Sequence, residues 1–251
     1  MVALYIIYTF NSKNNDLMND NLKKQKEQIL TLLKSKSVMK QDVFKNTIAS
    51  FELLKQSIHE IAQNLKNEVE VIDKRIGINV TETNNYVTQL KVASDMLEFF
   101  MHTNVFQFDK AHMMFKSGYI KQNEANSYCG IINVYNFLAD SFKYNRSEDL
   151  GYLVCRIFIN REMRFFIEAK GTIGSKYASF SEAPLNKELL LEIINDLIIY
   201  VISFDLFTPP IDSVKQVSVG EIQEKVSSIN LRIGKRLGYG SSSGTDEELY
   251  I

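Results

Sequence analysis

Residues 44–76 read FKNTIASFELLKQSIHEIAQNLKNEVEVIDKRI, and their apolar side chains recur at steps of three and four. A β-strand alternates with a period of two and cannot give these steps, so the run predicts an amphipathic helix with one apolar stripe. The stripe consists of Phe44, Ile48, Phe51, Leu54, Ile58, Ile61, Leu65, Val69, Ile72 and Ile76.

The stripe continues beyond Ile76 with steps of three and four, as in a heptad repeat. Poor helix formers between Gly77 and Asn85 mean that residues 44–101 are either one bent helix or two helices that form a hairpin. An apolar stripe has to be covered, either inside a helical bundle or by self-association as a coiled coil. The continuing positions are Val80, Thr83, Val87, Leu90, Ser94, Leu97 and Met101.

The rest of the chain predicts a second, different region. Helical spacing resumes over residues 123–144. The β-branched and aromatic runs 152–159 and 163–170 then flank a turn at residues 160–162, which is typical of a β-hairpin. The apolar run 185–207 predicts a helix buried on that hairpin.

We therefore expect a mainly α protein with a small antiparallel β-sheet, of the α+β class. It has a long N-terminal amphipathic helix or helical hairpin and a C-terminal β-hairpin packed by a buried helix. The predicted domains are a helical region, 1–146, a small α+β domain, 147–237, and a flexible acidic tail, 238–251.

Composition narrows the function classes. The chain has 251 residues, with 29 Lys and Arg against 30 Asp and Glu, so the whole molecule is not built to attract polyanions. Local basic helices at 22–40 and 222–237 still suggest nucleic acid as a hypothetical partner. Two cysteines cannot form a disulfide framework, which favours a reducing, cytoplasmic location.

No membrane association is expected. The apolar run at 189–207 contains Glu192, Asp196 and Asp205, which are unfavourable at the centre of a bilayer. A membrane-acting protein that inserts this run after a conformational change is the weakest hypothesis.

One short pattern suggests catalysis. In a strand, Glu168 and Lys170 point to the same face, where the carboxylate can hold a divalent cation and the ammonium can stabilise charge on an attacked phosphate. An acidic residue before the first hairpin strand would be the second ligand, and Asp149 or Glu148 is placed for this role. The alternative interpretation is a solvated Glu/Lys pair without chemistry.

The segment from Asp149-Leu-Gly-Tyr to Arg-Phe-Phe-Ile-Glu-Ala-Lys-Gly171 resembles the hairpin of PD-(D/E)xK nucleases, although it lacks the proline before Asp149. The resemblance implies that Asp149 and Glu168 are Mg²⁺ ligands and that Lys170 is the catalytic lysine.

Two functional hypotheses follow, and the sequence leaves open whether the chain is an enzyme. The first is a non-enzymatic interaction or assembly protein without a cofactor, which associates with itself or with another protein through the stripe at 44–101. The alternative is the Mg²⁺-dependent nuclease with Asp149, Glu168 and Lys170.

Overall fold

The fold is built around an antiparallel β-sheet. The computed structural model describes residues 20–204, 211, 215–220 and 223. Residues 20–32 are α-helical, Leu33–Ser37 form a π-helical turn, and helix α1 continues over Val38–Ile72. The later elements are β1 (Ile78–Asn84), β2 (Val87–Val92), β3 (Asp95–Met101), β4 (Phe106–Gln107), α2 (Gly118–Gln122), β5 (Tyr128–Leu138), α3 (Ala139–Lys143), β6 (Tyr152–Asn160), β7 (Phe165–Ala169), α4 (Gly171–Lys176) and α5 (Lys187–Ile202).

The strands form one sheet in the order β1-β2-β3-β5-β6-β7, and the short β4 pairs with the start of β5. Every pair of neighbours is antiparallel. The register places Phe99 opposite Val134 and Ile132 opposite Ile157. Because side chains alternate between the two faces, these apolar rows line one face and form the main core.

Helix α1 lies across that face. Its side chains from Met39 to Ala62 that point towards the sheet are buried, and Leu54 and Ile58 are completely inaccessible. The helix comes unusually close to β5 at Gly130, where an added Cβ would lie 2.0 Å from Oγ1 of Thr47. The glycine is required because of this close approach between helix and strand.

Helix α5 packs beside α1 in the same layer. Its buried residues include Leu190, Ile193 and Leu197, none of which is accessible to solvent. Asn186 caps the helix, since its Oδ1 accepts a hydrogen bond of 2.9 Å from the amide of Leu189. The predicted hairpin is present as β6 and β7, with α5 buried on the sheet after it.

The opposite face is covered only in part by described residues. Over β5 to β7, the segment after β4 places Phe108 against Phe158 and Phe166, whose rings stack with centroids 4.7 Å apart. Further along this face, Tyr135 and Phe137 remain half-buried.

The prediction of a mainly α protein with a small sheet is wrong. Only residues up to Ile72 of the predicted helical run 44–101 are helical, and residues 78–101 form β1, β2 and β3. Residues 128–138, also predicted as helix, form the central strand β5. Strands β2 and β5 bury nearly alternate residues and β3 buries five of its seven, and this burial outweighs the helical spacing in the sequence.

The predicted boundary after residue 146 falls between β5 and β6, which pair with each other over eight register positions. The sheet is therefore continuous across that point. The predicted acidic tail, 238–251, lies outside the described residues, as does the basic helix 222–237 apart from residue 223.

Candidate interaction surface

An exposed helical extension precedes α1. It comprises residues 20–37, and every one of these residues is solvent-exposed. Large apolar side chains lie on it in the open, with Ile29 56% and Leu32 57% accessible. By contrast, the same continuous helix becomes buried from Met39 onwards, where it reaches the sheet.

The apolar residues of the extension share one side. Leu22, Ile29 and Leu33 are spaced by seven and four residues, so they lie within about 40° of each other on a helix of about 3.6 residues per turn. Leu30 and Leu32 flank this line on either side. The extension is therefore amphipathic, with an apolar stripe that no described residue covers.

The extension and the first residues of α1 are strongly basic. Residues 20–40 contain six lysines, and their acidic residues are Asp20 and Glu27 alone. Lys23 approaches Asp20 at 3.9 Å. In the part of the chain that the structure describes, no carboxylate lies within ion-pair distance of Lys24, Lys26 or Lys34. Among the described residues these positive charges are therefore not neutralised by an ion pair.

A groove of about 530 Å³ lies at the base of the extension. Its floor includes Tyr128 of β5, and the Nζ atoms of Lys36 and Lys40 lie 5.7 and 6.0 Å from the centre of that ring. Its remaining lining residues are Leu32, Lys34, Ser35, Val38, Met39, Gln107, Glu124, Ala125 and Arg161.

Arg161 ties the groove to α1. Its guanidinium lies 2.9 Å from Oδ2 of Asp42, and its carbonyl accepts a hydrogen bond of 2.6 Å from the side-chain amide of Asn46. The loop between β6 and β7 is therefore held against the helix. Sequence reasoning found the lysines of this region but missed Tyr128 and Arg161, which only the tertiary fold brings next to Lys36.

One other polar cluster surrounds Tyr119 and Asn160. The hydroxyl of Tyr119 donates to Glu162 at 2.8 Å and accepts from Asn160 at 2.7 Å, and burial raises the pKa of this tyrosine. Asn160 also accepts the amides of Glu162 and Arg164, so it stabilises the turn between β6 and β7.

The three residues of the predicted nuclease site are not brought together as a metal centre. Oδ2 of Asp149 accepts a hydrogen bond of 2.6 Å from Ser141 and lies 2.7 Å from Nε of Arg146. Glu168 is bound instead by the guanidinium of Arg156, its partner across the two strands.

The register also separates these carboxylates. Glu168 lies opposite Arg156, seven residues after Asp149 in the chain, and the strand from Tyr152 to Arg156 alone advances about 13 Å at ~3.3 Å per residue. Lys170 is exposed and caps α4 in an extended conformation. The nuclease site stays a prediction without geometric support.

Within residues 20–204 and the few described beyond them, no three or more His, Cys, Asp and Glu side chains are grouped so that they could hold a metal ion. Over the same residues, no helix has the length and apolar character needed to cross a membrane.

Comparison with known proteins identifies no relative. No protein-family model, no curated protein and no solved structure matches this chain.

Proposed function

We propose that this is a non-enzymatic interaction protein that binds another protein through its helical extension, residues 20–37. The observation that carries the proposal is the amphipathic stripe Leu22, Ile29 and Leu33, which lies exposed on a helix that projects beyond the sheet. Exposed contiguous apolar surface of this kind is typical of protein–protein contacts.

The extension lacks the packing that normally stabilises a helix. An isolated helix of this length is marginal in water, because most helical stability in proteins comes from packing of an apolar face. Continuity with α1 removes the nucleation step, but it does not cover the stripe. A partner that buries the remaining half of each stripe side chain gains roughly 1 kcal/mol per residue, as full burial is worth about 1.5–3 kcal/mol.

This surface differs from the one that the spacing at 44–101 suggests. From Met39 to Ala62 the apolar face of α1 is covered by the chain's own sheet. It is therefore unavailable to a partner while the protein is folded. Among the described residues, the extension is the longer of two open parts of this helix; the other is its C-terminal end, where Val71 and Ile72 are exposed.

Site-specific photo-crosslinking in the cells that express the chain tests the proposal. A photoreactive residue at Ile29 is expected to give a discrete protein adduct. The same residue at Leu150, which is 83% accessible but lies in a loop of the sheet, is the matched control and is expected to give none. Equal labelling at both positions, or no adduct at Ile29, would contradict the proposal.

A further inference from the structure

We infer that the segment bound by the extension is an acidic amphipathic helix of another protein, which lies along the apolar stripe and reaches the groove beside Tyr128. This inference rests on the proposed function and specifies the chemistry of the partner. Its motivation is the combination of an apolar stripe, a lysine-rich border and a groove at one end of the same helix.

Charge complementarity selects an acidic partner. Lys24, Lys26 and Lys34 have no carboxylate within ion-pair distance among the described residues, and Lys36 points its ammonium over Tyr128. Carboxylates on an approaching helix would neutralise Lys26 and Lys34, which lie in the line of the stripe and beside it. Lys24 lies about 160° from Leu22 around the extension, so it adds only longer-range attraction that accelerates association. The apolar side of that helix would cover the stripe at the same time.

The same charges disfavour a second copy of this chain as the occupant. Lys26 lies between Leu22 and Ile29 in the line of the stripe, so two extensions packed together would place lysines near each other in their seam. Like charges in a helix–helix seam select against that pairing. A partner with glutamate or aspartate at these positions has the opposite preference.

The groove extends the contact beyond a simple helix pair. Its walls combine apolar groups of Leu32, Val38 and Ala125 with the ammonium groups of Lys34 and Lys36. The one carboxylate in the lining, that of Glu124, lies 3.7 Å from the ammonium of Lys110, so the net charge of the groove stays positive. Such a lining fits a segment that carries both apolar and acidic side chains. Single-stranded nucleic acid is disfavoured because it binds through rows of stacking aromatic rings, and residues 20–37 contain no aromatic residue.

A defined peptide tests the inference on the full chain. The probe has about 21 residues, with leucine at its a and d positions and glutamate at e and g, and a control peptide carries glutamine in place of glutamate. Fluorescence anisotropy is expected to show micromolar binding of the acidic peptide and binding at least about tenfold weaker of the control peptide. Raising NaCl from about 0.1 M to about 1 M shortens the screening length from about 10 Å to about 3 Å, so affinity should fall about tenfold.

Matched variants locate the binding surface. The triple variant Lys24→Gln, Lys26→Gln and Lys34→Gln is expected to bind the acidic peptide about tenfold more weakly, because each lost charge contributes a modest amount. A control variant removes three lysines elsewhere and is expected to bind like the wild type. Its substitutions are Lys66→Gln, Lys74→Gln and Lys91→Gln.

Several results would overturn the inference. Equal binding of the two peptides, or no effect of the triple variant, would remove the acidic partner. Binding of a thymidine oligonucleotide or of phosphatidylserine vesicles in place of the peptide would assign the surface to another class of ligand. If the adduct at Ile29 still forms in cells, the inference alone fails; if that adduct is absent, the proposed function fails too.

Discussion

The contact between α1 and β5 at Gly130 allows a precise test of the fold. In Gly130→Ala the new Cβ would lie 2.0 Å from Oγ1, 2.7 Å from Cγ2 and 2.8 Å from Cβ of Thr47. Rotation of the threonine side chain relieves the first two contacts but not the third. Helix and strand must therefore separate, and we expect a loss of about 3 kcal/mol in the free energy of unfolding, the upper end for overpacking in a core.

Urea unfolding followed by circular dichroism measures this loss. Gly118→Ala is the matched control, since no atom lies within 4 Å of its added Cβ, and we expect a change within about 0.5 kcal/mol. Thr47→Ala removes the two nearest atoms, so the double variant should recover at least about 1 kcal/mol relative to Gly130→Ala alone. A loss below about 1 kcal/mol for Gly130→Ala, or no recovery in the double variant, would refute the packing of α1 on β5.

Three further predictions concern the helix, alkaline pH and catalysis. Leu54→Ala removes an inaccessible side chain and should lower the free energy of unfolding in urea by about 3 kcal/mol. Leu33→Ala, at a half-exposed position on the extension, should change it by less than about 0.5 kcal/mol. Similar losses in both variants would contradict the boundary between the packed and the exposed part of the helix. Burial raises the pKa of Tyr177 to about 12, so the stability that this tyrosine contributes is complete below pH ~10 and falls as the pH rises towards ~12. Tyr177→Phe should flatten this part of a plot of the urea midpoint against pH. An unchanged slope would argue against burial of the hydroxyl. Asp149→Asn and Glu168→Gln should leave any Mg²⁺-dependent cleavage of DNA at the level of the wild type, while abolition of a robust wild-type activity would restore the nuclease hypothesis.

Local patterns in the sequence were sufficient to predict helix over residues 44–72, the hairpin of β6 and β7, and the buried helix α5. Helix α1 carries its apolar residues at the helical period, whereas β6, β7 and α5 are indicated by dense apolar runs bounded by turn residues. For these segments, the sequence leaves undetermined mainly which surface each element packs against.

The strands β1 to β3 were missed because a subset of their residues happens to be spaced by three and four positions, as in a helix. That subset is Val80, Thr83, Val87, Leu90, Ser94, Leu97 and Met101. Residues 78–92 contain a high density of β-branched side chains, which favours strands over helix. Asn84 and Asn85 mark the turn between β1 and β2, where the side chain of Asn84 accepts the amide of Tyr86 at 2.8 Å. These two signals were present in the sequence, and the apparent heptad obscured them.

The interaction surface could be predicted only in part. The lysines of the basic helix 22–40 and the apolar residues among them follow from a helical projection of the sequence. The groove could not, because Tyr128 and Arg161 lie about 90 residues or more from Lys36 and reach it only through the packing of α1 across β5 and β6. No local sequence pattern indicates that these residues lie close together in the fold.

The π-helical turn Leu33–Ser37 sets the direction from which a partner can approach. Its wider hydrogen bonding, in which the amide of Val38 donates to the carbonyl of Leu33 five residues back, inserts about one residue relative to an α-helix. One residue corresponds to a rotation of about 100° around the helix axis. The direction that the apolar stripe of the extension faces is therefore independent of the direction of the buried face of α1, which packs on the sheet. The number of residues in this single turn thus determines which way the apolar stripe of the extension faces. Insertion or deletion of one residue there would rotate the stripe around the helix axis without altering the sheet.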